Sequence, residues 1–384
     1  MAPRNLENTG TAGGDDGLWG RVVATQANYY RVQLSAPAAL GIADAGTADT
    51  TVLCTRRARL KKTGQQVMVG DRVRLEGVDW AGDRGAIAAV GPRQTVLDRP
   101  PIANADQILL VFALAEPALD PQQLGRFLVK AESTGIPVRI LLNKQDLVSA
   151  DTRRYWQAQL DQWGYSATVM SVQEAEDPLS LLSPLLKGRT TVVAGPSGVG
   201  KSSLINRLIP QACLRTGAVS GKLGRGRHTT RHVELFDLPG GGLLADTPGF
   251  NQPDLLLTPA DLAQCFPELR QRLAAGQCQF TDCLHRGDPG CAVGSDWPRY
   301  DFYLTLLEEA LVYDDTLRQQ QDPDAALKVR VGERGQQYQE PRLQAKKYRR
   351  PSRRRQKQAL NDLSYDGDGS TDRLEPLSGE DSLA

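Results

Sequence analysis

No run in the chain approaches the about 18 apolar residues of a membrane helix. The opening residues, MAPRNLENTGTAGGDDG, lack the apolar stretch of a signal peptide. They also hold two adjacent acids and a single arginine, unlike an organelle transit peptide. No internal repeat is found. These absences predict a cytoplasmic protein with no membrane partner. There is also almost no net charge, +1 over 384 residues, but the balance conceals two blocks. Pro341 to Lys357 holds nine Lys/Arg and no acid, and Gln358 to Ala384 holds seven Asp/Glu and one Arg. Such blocks are usually solvated tails, although a basic one can also grip nucleic acid.

What is present is ordinary globular material, 40% hydrophobic and 24% charged, enough for a core and for two or three domains. Residues 1–16 are small and polar without periodicity and are expected to be disordered. Residues 17–98 alternate like short paired strands: GRVVATQANYYRVQL, TVLCTRRARLKK, DRVRLEGVDW and RGAIAAVGPR. They predict a closed β-barrel, an OB-fold by first choice. The Pro100-Pro101 pair reads as a linker. Within 99–255, QILLVFAL, VRILLNK, ATVMSV and TTVVAG read as strands buried on both faces, with helical spacing between them, hence an α/β domain. Residues 256–330 turn helical around a Cys-rich loop, and 331–384 are expected to be a disordered tail, basic and then acidic.

The strongest motif is Gly195-Pro196-Ser197-Gly198-Val199-Gly200-Lys201-Ser202-Ser203, a strand–loop–helix fit to G-x-x-x-x-G-K-[ST]. Its glycines let backbone N–H groups wrap phosphate oxygens. Lys201 neutralises the β- and γ-phosphates, and the Ser202 hydroxyl suits Mg²⁺. Asp246-Thr247-Pro248-Gly249 supplies an Asp for Mg²⁺ through water and a Gly N–H for the γ-phosphate. Asn143-Lys144-Gln145-Asp146 reads guanine. The Asp146 carboxylate accepts from N1–H and the 2-amino group, and adenine offers neither donor. Asn143 suits the major-groove edge of the base, Lys144 suits the ring face, and the Ser171-Val172 backbone suits O6.

These motifs occur in a permuted order. N-K-x-D and Ser171 precede the P-loop, which is compatible with the same sheet because only the loops at the strand ends must meet. Cys278, Cys283, His285 and Cys291 read as C-x4-C-x-H-x5-C, either tetrahedral metal ligands or buried free thiols. Cys54, Cys213 and Cys265 read as packing residues. His228 and His232 read as surface groups, with a catalytic part for His228 left open.

Permuted order, barrel and cysteine cluster together resemble the bacterial small-ribosomal-subunit biogenesis GTPases, the RsgA (YjeQ) family, over roughly Gly17 to Gln320. The resemblance implies a structural Zn²⁺ on the four cluster ligands. It also implies a first switch in GRGRHTTR, with Thr229 or Thr230 on Mg²⁺, and a small-subunit partner that stimulates hydrolysis of GTP to GDP. The expected protein acts as a monomer. Phe250 stands where Ras-like enzymes hold a Gln, so intrinsic turnover should be slow. Arg56, Arg57, Arg59, Lys61 and Lys62 offer ribosomal RNA a basic surface, or are simply a charged strand face. Two rival readings are a guanylate-type kinase, whose phosphate loop is similar, and a zinc-dependent RNA-binding protein with structural GTP.

Overall fold

The computed structural model describes residues 18–26, 28–35, 51–98, 100–210, 233–246, 255–321, 327–331 and 337–341. Strands β1 (Leu18–Gln26), β2 (Tyr29–Leu34) and β3 (Thr51–Arg56) are followed by helix α1 (Ala58–Lys62). Strands β4 (Arg72–Asp79) and β5 (Arg84–Val90) complete a closed barrel in the order β1-β2-β3-β5-β4. Only the β3–β5 pairing is parallel. Alternation along each strand sends Val22, Val32, Leu34, Val52, Cys54, Val73, Leu75 and Ile87 inward to one core. This is the expected OB-type barrel, with one correction. The strand anticipated through Lys62 stops at Arg56, and α1 follows with only Leu60 buried. Arg59, Lys61 and Lys62 therefore stand on a helix rather than on a strand face.

A second correction concerns the Pro100-Pro101 segment. Instead of a linker, β6 (Val96–Asp98) and β7 (Pro101–Ala103) form an antiparallel hairpin. Leu97 and Ile102 are buried in the core of the following domain, and Ile102 bridges Val69. Pro101 opens its strand, a position that tolerates the missing N–H.

The α/β domain runs β8 (Gln107–Ala113), α2 (Pro121–Glu132), β9 (Val138–Asn143), α3 (Ala150–Gln162), β10 (Ala167–Val169) and α4 (Pro178–Leu186). It continues with β11 (Thr190–Ala194), α5 (Lys201–Leu208), β12 (Leu235–Asp237) and β13 (Leu243–Asp246). Its sheet has the order β10-β9-β8-β11-β13-β12, parallel except for β12. Successive residues of β8 feed opposite cores. Ile108, Leu110 and Phe112 meet Leu124, Phe127 and Leu128 of α2. Leu109 and Val111 share the other core with Leu182, Leu204 and Leu208. That two-faced burial explains the continuous apolar runs.

The C-terminal helices are α6 (Pro259–Gln264), α7 (Pro267–Ala275) and α8 (Tyr300–Gln321). Pro267 separates two helices where one continuous stretch was expected, because it cannot continue the α6 hydrogen-bond ladder. Phe266, Leu269, Tyr303, Leu306 and Leu307 form their core and enclose Val129 of α2. The chain then forms a separate antiparallel pair, β14 (Leu327–Val331) and β15 (Gln337–Pro341). Regular structure thus reaches into the segment expected as a tail from 331.

Candidate functional site

The phosphate loop joins β11 to α5 and is shaped by what side chains would strike. A Cβ on Gly195, at φ +141°, would sit 2.1 Å from the Val111 carbonyl oxygen of β8. Gly200, at φ +100°, is the N-cap of α5, and a Cβ there would meet the Asn143 amide nitrogen at 2.3 Å. Only glycine fits both positions. Val199 is buried and anchors the loop in the core, while Ser197 and Gly198 are exposed at its crest. Lys201 Nζ donates to the carbonyls of Gly195, at 2.8 Å, and Pro196, which holds the ammonium inside the loop. Ser202 and Ser203 lie half-buried in the first turn of α5, at its positive end.

The base-reading segment lies at the end of β9. Asn143 is 3% exposed. Its Nδ2 donates to the Val199 carbonyl at 2.8 Å, and its Oδ1 accepts from the Val172 N–H at 2.9 Å. One amide thus ties the N-K-x-D loop, the phosphate loop and the Ser171-Val172 loop together. This internal brace engages one amide N–H and one oxygen lone pair of Asn143. Asp146 is exposed on a 3-10 turn, Gln145–Leu147, free to meet a base. Lys144 adopts φ +61° and donates through Nζ to the Glu116 carbonyl. Ser171 is buried, with its Oγ accepting from the Glu174 N–H at 3.3 Å.

All these loops leave the C-terminal ends of parallel strands, where strand order reverses between β8 and β11. That crevice is the general ligand position of open α/β sheets. Asp246 pairs with Val193 across β13 and β11, so its backbone stands beside the P-loop strand. The Asp246 side chain, Thr247, Pro248, Gly249 and Phe250 lie outside the described residues, as do His228, Thr229, Thr230, His232 and Cys213.

The four ligand atoms of Cys278, Cys283, His285 and Cys291 lie within 4.8 Å of one another. Ligands at about 2.0–2.3 Å from a tetrahedral zinc would be roughly 3.3–3.8 Å apart, so this donor set fits that ion. His285 Nδ1 is 3.6 Å from Cys278 Sγ and 3.9 Å from Cys291 Sγ. Burial lowers the His285 pKa and favours the neutral ring that a metal needs. Backbone N–H groups of His285 and Ala292 point at Cys283 Sγ and Cys278 Sγ, each at 3.4 Å. Such bonds orient thiolates from outside the ligand set.

Residues 90–256 match the family model described as RsgA GTPase. A Trichormus variabilis protein described as small ribosomal subunit biogenesis GTPase RsgA is 57% identical over 358 residues, 90% of this chain and 96% of that protein. A Synechocystis relative with the same description is 52% identical over 357 residues, 89% and 94% of the two chains. The chain belongs to the RsgA family of GTPases. YjeQ from Thermotoga maritima superposes on this RsgA-family chain with a TM-score of 0.63 at 28% identity, covering 77% of this chain and 98% of YjeQ. YloQ, described as a circularly permuted GTPase, gives 0.62 at 29% identity, covering 79% and 98%.

Of the cysteines outside the cluster, the two described ones, Cys54 and Cys265, are buried. Burial pushes the Cys54 and Cys265 thiols up to about 12. Arg57, Arg59, Lys61 and Lys62 are exposed, whereas Arg56 is partly committed, donating to the Gln65 carbonyl at 3.2 Å. Sequence reasoning missed the Glu116 carbonyl and the buried Arg299–Glu268 pair. Neither carries a motif. Among the described residues no helix is long and apolar enough to cross a membrane.

Proposed function

We propose that this chain hydrolyses GTP during late assembly of the small ribosomal subunit, and that the subunit stimulates the hydrolysis. The observation that carries the reading is the Asn143 brace. It brings the base-reading, phosphate and Ser171 loops of a permuted chain to one crevice. Lys201 and the loop N–H groups hold the phosphates, and Ser202 and Asp246 would hold Mg²⁺, which supplies charge neutralisation at the β- and γ-phosphates. Thr229 or Thr230 completes that ligand set, and the Gly249 N–H meets the γ-phosphate. Phe250 cannot orient water by hydrogen bonding, so ordering of the attacking water falls to the partner. The exposed cations of α1 suit ribosomal RNA phosphates. Zn²⁺ on Cys278, Cys283, His285 and Cys291 serves structure, since four protein ligands leave no open position. The chain works as a cytoplasmic monomer.

The deciding measurement is phosphate release from GTP with and without small ribosomal subunits. Stimulated release, together with tighter subunit binding in a non-hydrolysable GTP analogue than in GDP, is the expected result. Coupling is reciprocal, so the subunit must tighten the analogue by the same factor. Phosphorylation of GMP would establish the kinase reading instead, and no release in any condition would establish a structural nucleotide.

Guanine selectivity should reside in Asp146. Asp146→Asn should weaken GTP by about 10- to 100-fold, the worth of hydrogen bonds to a charged group. Preference should move towards xanthosine triphosphate, whose 2-carbonyl accepts from the new amide. Competition binding with the two nucleotides checks this, and GTP affinity equal to the parent's would contradict the base-reading role.

A further inference from the structure

The loop after β8 carries no motif, yet it occupies the decisive position. β8 lies between β9 and β11, so its C-terminal loop emerges between the base-reading and phosphate loops. It is fastened to the base-reading loop and borders the phosphate loop. The Leu114 N–H donates to the Asn143 carbonyl at 3.0 Å, and the Glu116 carbonyl receives Lys144 Nζ. A Cβ placed on Gly198 would lie 3.6 Å from Pro117 Cδ, so the proline ring stands about one methyl group away from the crest of the phosphate loop. Glu116 itself is held at φ +51°, a region costly for a residue with a side chain. Its surroundings must therefore maintain it.

Resting on the nucleotide reading above, we propose that the Glu116–Pro117 turn is a positioning element of the guanosine site. Pro117 shapes the turn beside the phosphate loop, and the turn presents the Glu116 carbonyl that lays the Lys144 side chain across the face of the base. The turn acts through Lys144 and not on Asp146, so it raises affinity for any purine ring placed there without choosing among 2-substituents.

The test is a double-mutant cycle on full-length protein, read as affinity for GDP and for inosine diphosphate, which lacks the 2-amino group. Pro117→Ala should weaken both diphosphates by the same factor, about fivefold or more, the range of coupled neighbours. In a Lys144→Met background, Pro117→Ala should change neither by more than about twofold, within the error of additivity. The unfolding midpoint of each variant is measured alongside. Equal losses from Pro117→Ala in both backgrounds would overturn the proposal, as would a loss for GDP alone. A loss of affinity matched by a fallen midpoint would do the same. If Lys144→Met leaves GDP affinity intact while Asp146→Asn lowers it, the inference fails and the guanine site stands. If neither substitution matters, the nucleotide reading itself fails.

Discussion

Replacing Glu268 by alanine is expected to destabilise the C-terminal helices by about 3–5 kcal/mol, the cost of stranding a buried charge. Arg299 is 3% exposed, and its Nε and one terminal nitrogen donate to the two Glu268 oxygens at 2.7 and 2.6 Å. Its guanidinium lies over three rings: Phe266 at 4.7 Å, Trp163 at 5.1 Å and Tyr165 at 5.7 Å. Trp163 and Tyr165 belong to the α/β domain, between α3 and β10, and Phe266 and Glu268 to the C-terminal helices. The ion pair thus sits where those two bodies join, and water cannot reach a cation left there alone. Arg126 of α2 reinforces the junction through both oxygens of Glu309, but that pair is partly exposed and contributes little. Denaturant unfolding followed at Trp163 and Trp297 reads the loss. Removing the charge from both sides, as Glu268→Leu with Arg299→Met, should recover most of the stability, since well-packed apolar replacements of buried pairs are tolerated. A Glu268→Ala variant within 1 kcal/mol of the parent would mean that Arg299 finds water or another partner.

Much of the nucleotide site was legible because its chemistry demands particular residues at particular spacings. Glycine is forced at 195 and 200 by a carbonyl and an amide at distances no side chain survives. The apolar runs of β8 and β11 showed sheet burial directly, since every residue of both strands is buried. What escaped the sequence falls into two kinds. Three-residue strands such as β6, β7 and β12 are too short to show a period, so the β6–β7 hairpin read as a linker. Partners far apart in the chain also leave no local trace. Glu268 and Arg299 are 31 residues apart, and Lys144 and Glu116 are 28 apart. The acceptor at Glu116 is a backbone carbonyl that any residue carries, so composition cannot mark it. The Asn143 bonds to Val199 and Val172 join residues 56 and 29 apart, so the sequence displayed the motif and not the brace.

Withdrawing the metal should produce the largest change of all. Structural zinc sites of this donor type bind with about 10–16 kcal/mol, and that energy is folding energy where no other force shapes the loop. Residues 276–299 between α7 and α8 contain no helix or strand, and a structureless connection of that length is uncommon in a compact domain. Besides the cluster, the Arg299–Glu268 pair fixes its C-terminal end, and side-chain bonds to backbone hold the rest. Tyr303 Oη donates to the Leu284 carbonyl at 2.9 Å, Tyr300 Oη to that of Arg286 at 2.6 Å, and Arg272 to that of Val293 at 2.9 Å. Those bonds end on backbone groups whose positions the four ligands set. Chelation, or Cys283→Ala, should therefore melt the loop. Val293 and Trp297 would leave the core they share with Phe266 and Tyr303, loosening α7 from α8. GDP affinity should survive, because the phosphate and base loops rest on β8, β9 and β11 and touch none of the ligands. Thiol labelling gives a second reading. Chelation should expose three additional reactive thiols, while Cys54 and Cys265, buried with pKa values raised to about 12, stay unlabelled at pH 8. Metal analysis of protein purified without chelator should return one zinc per chain. A metal-free parent with the same loop protection in hydrogen exchange would leave the four side chains as packed thiols and an imidazole, and the domain would owe its shape to its aromatic core alone.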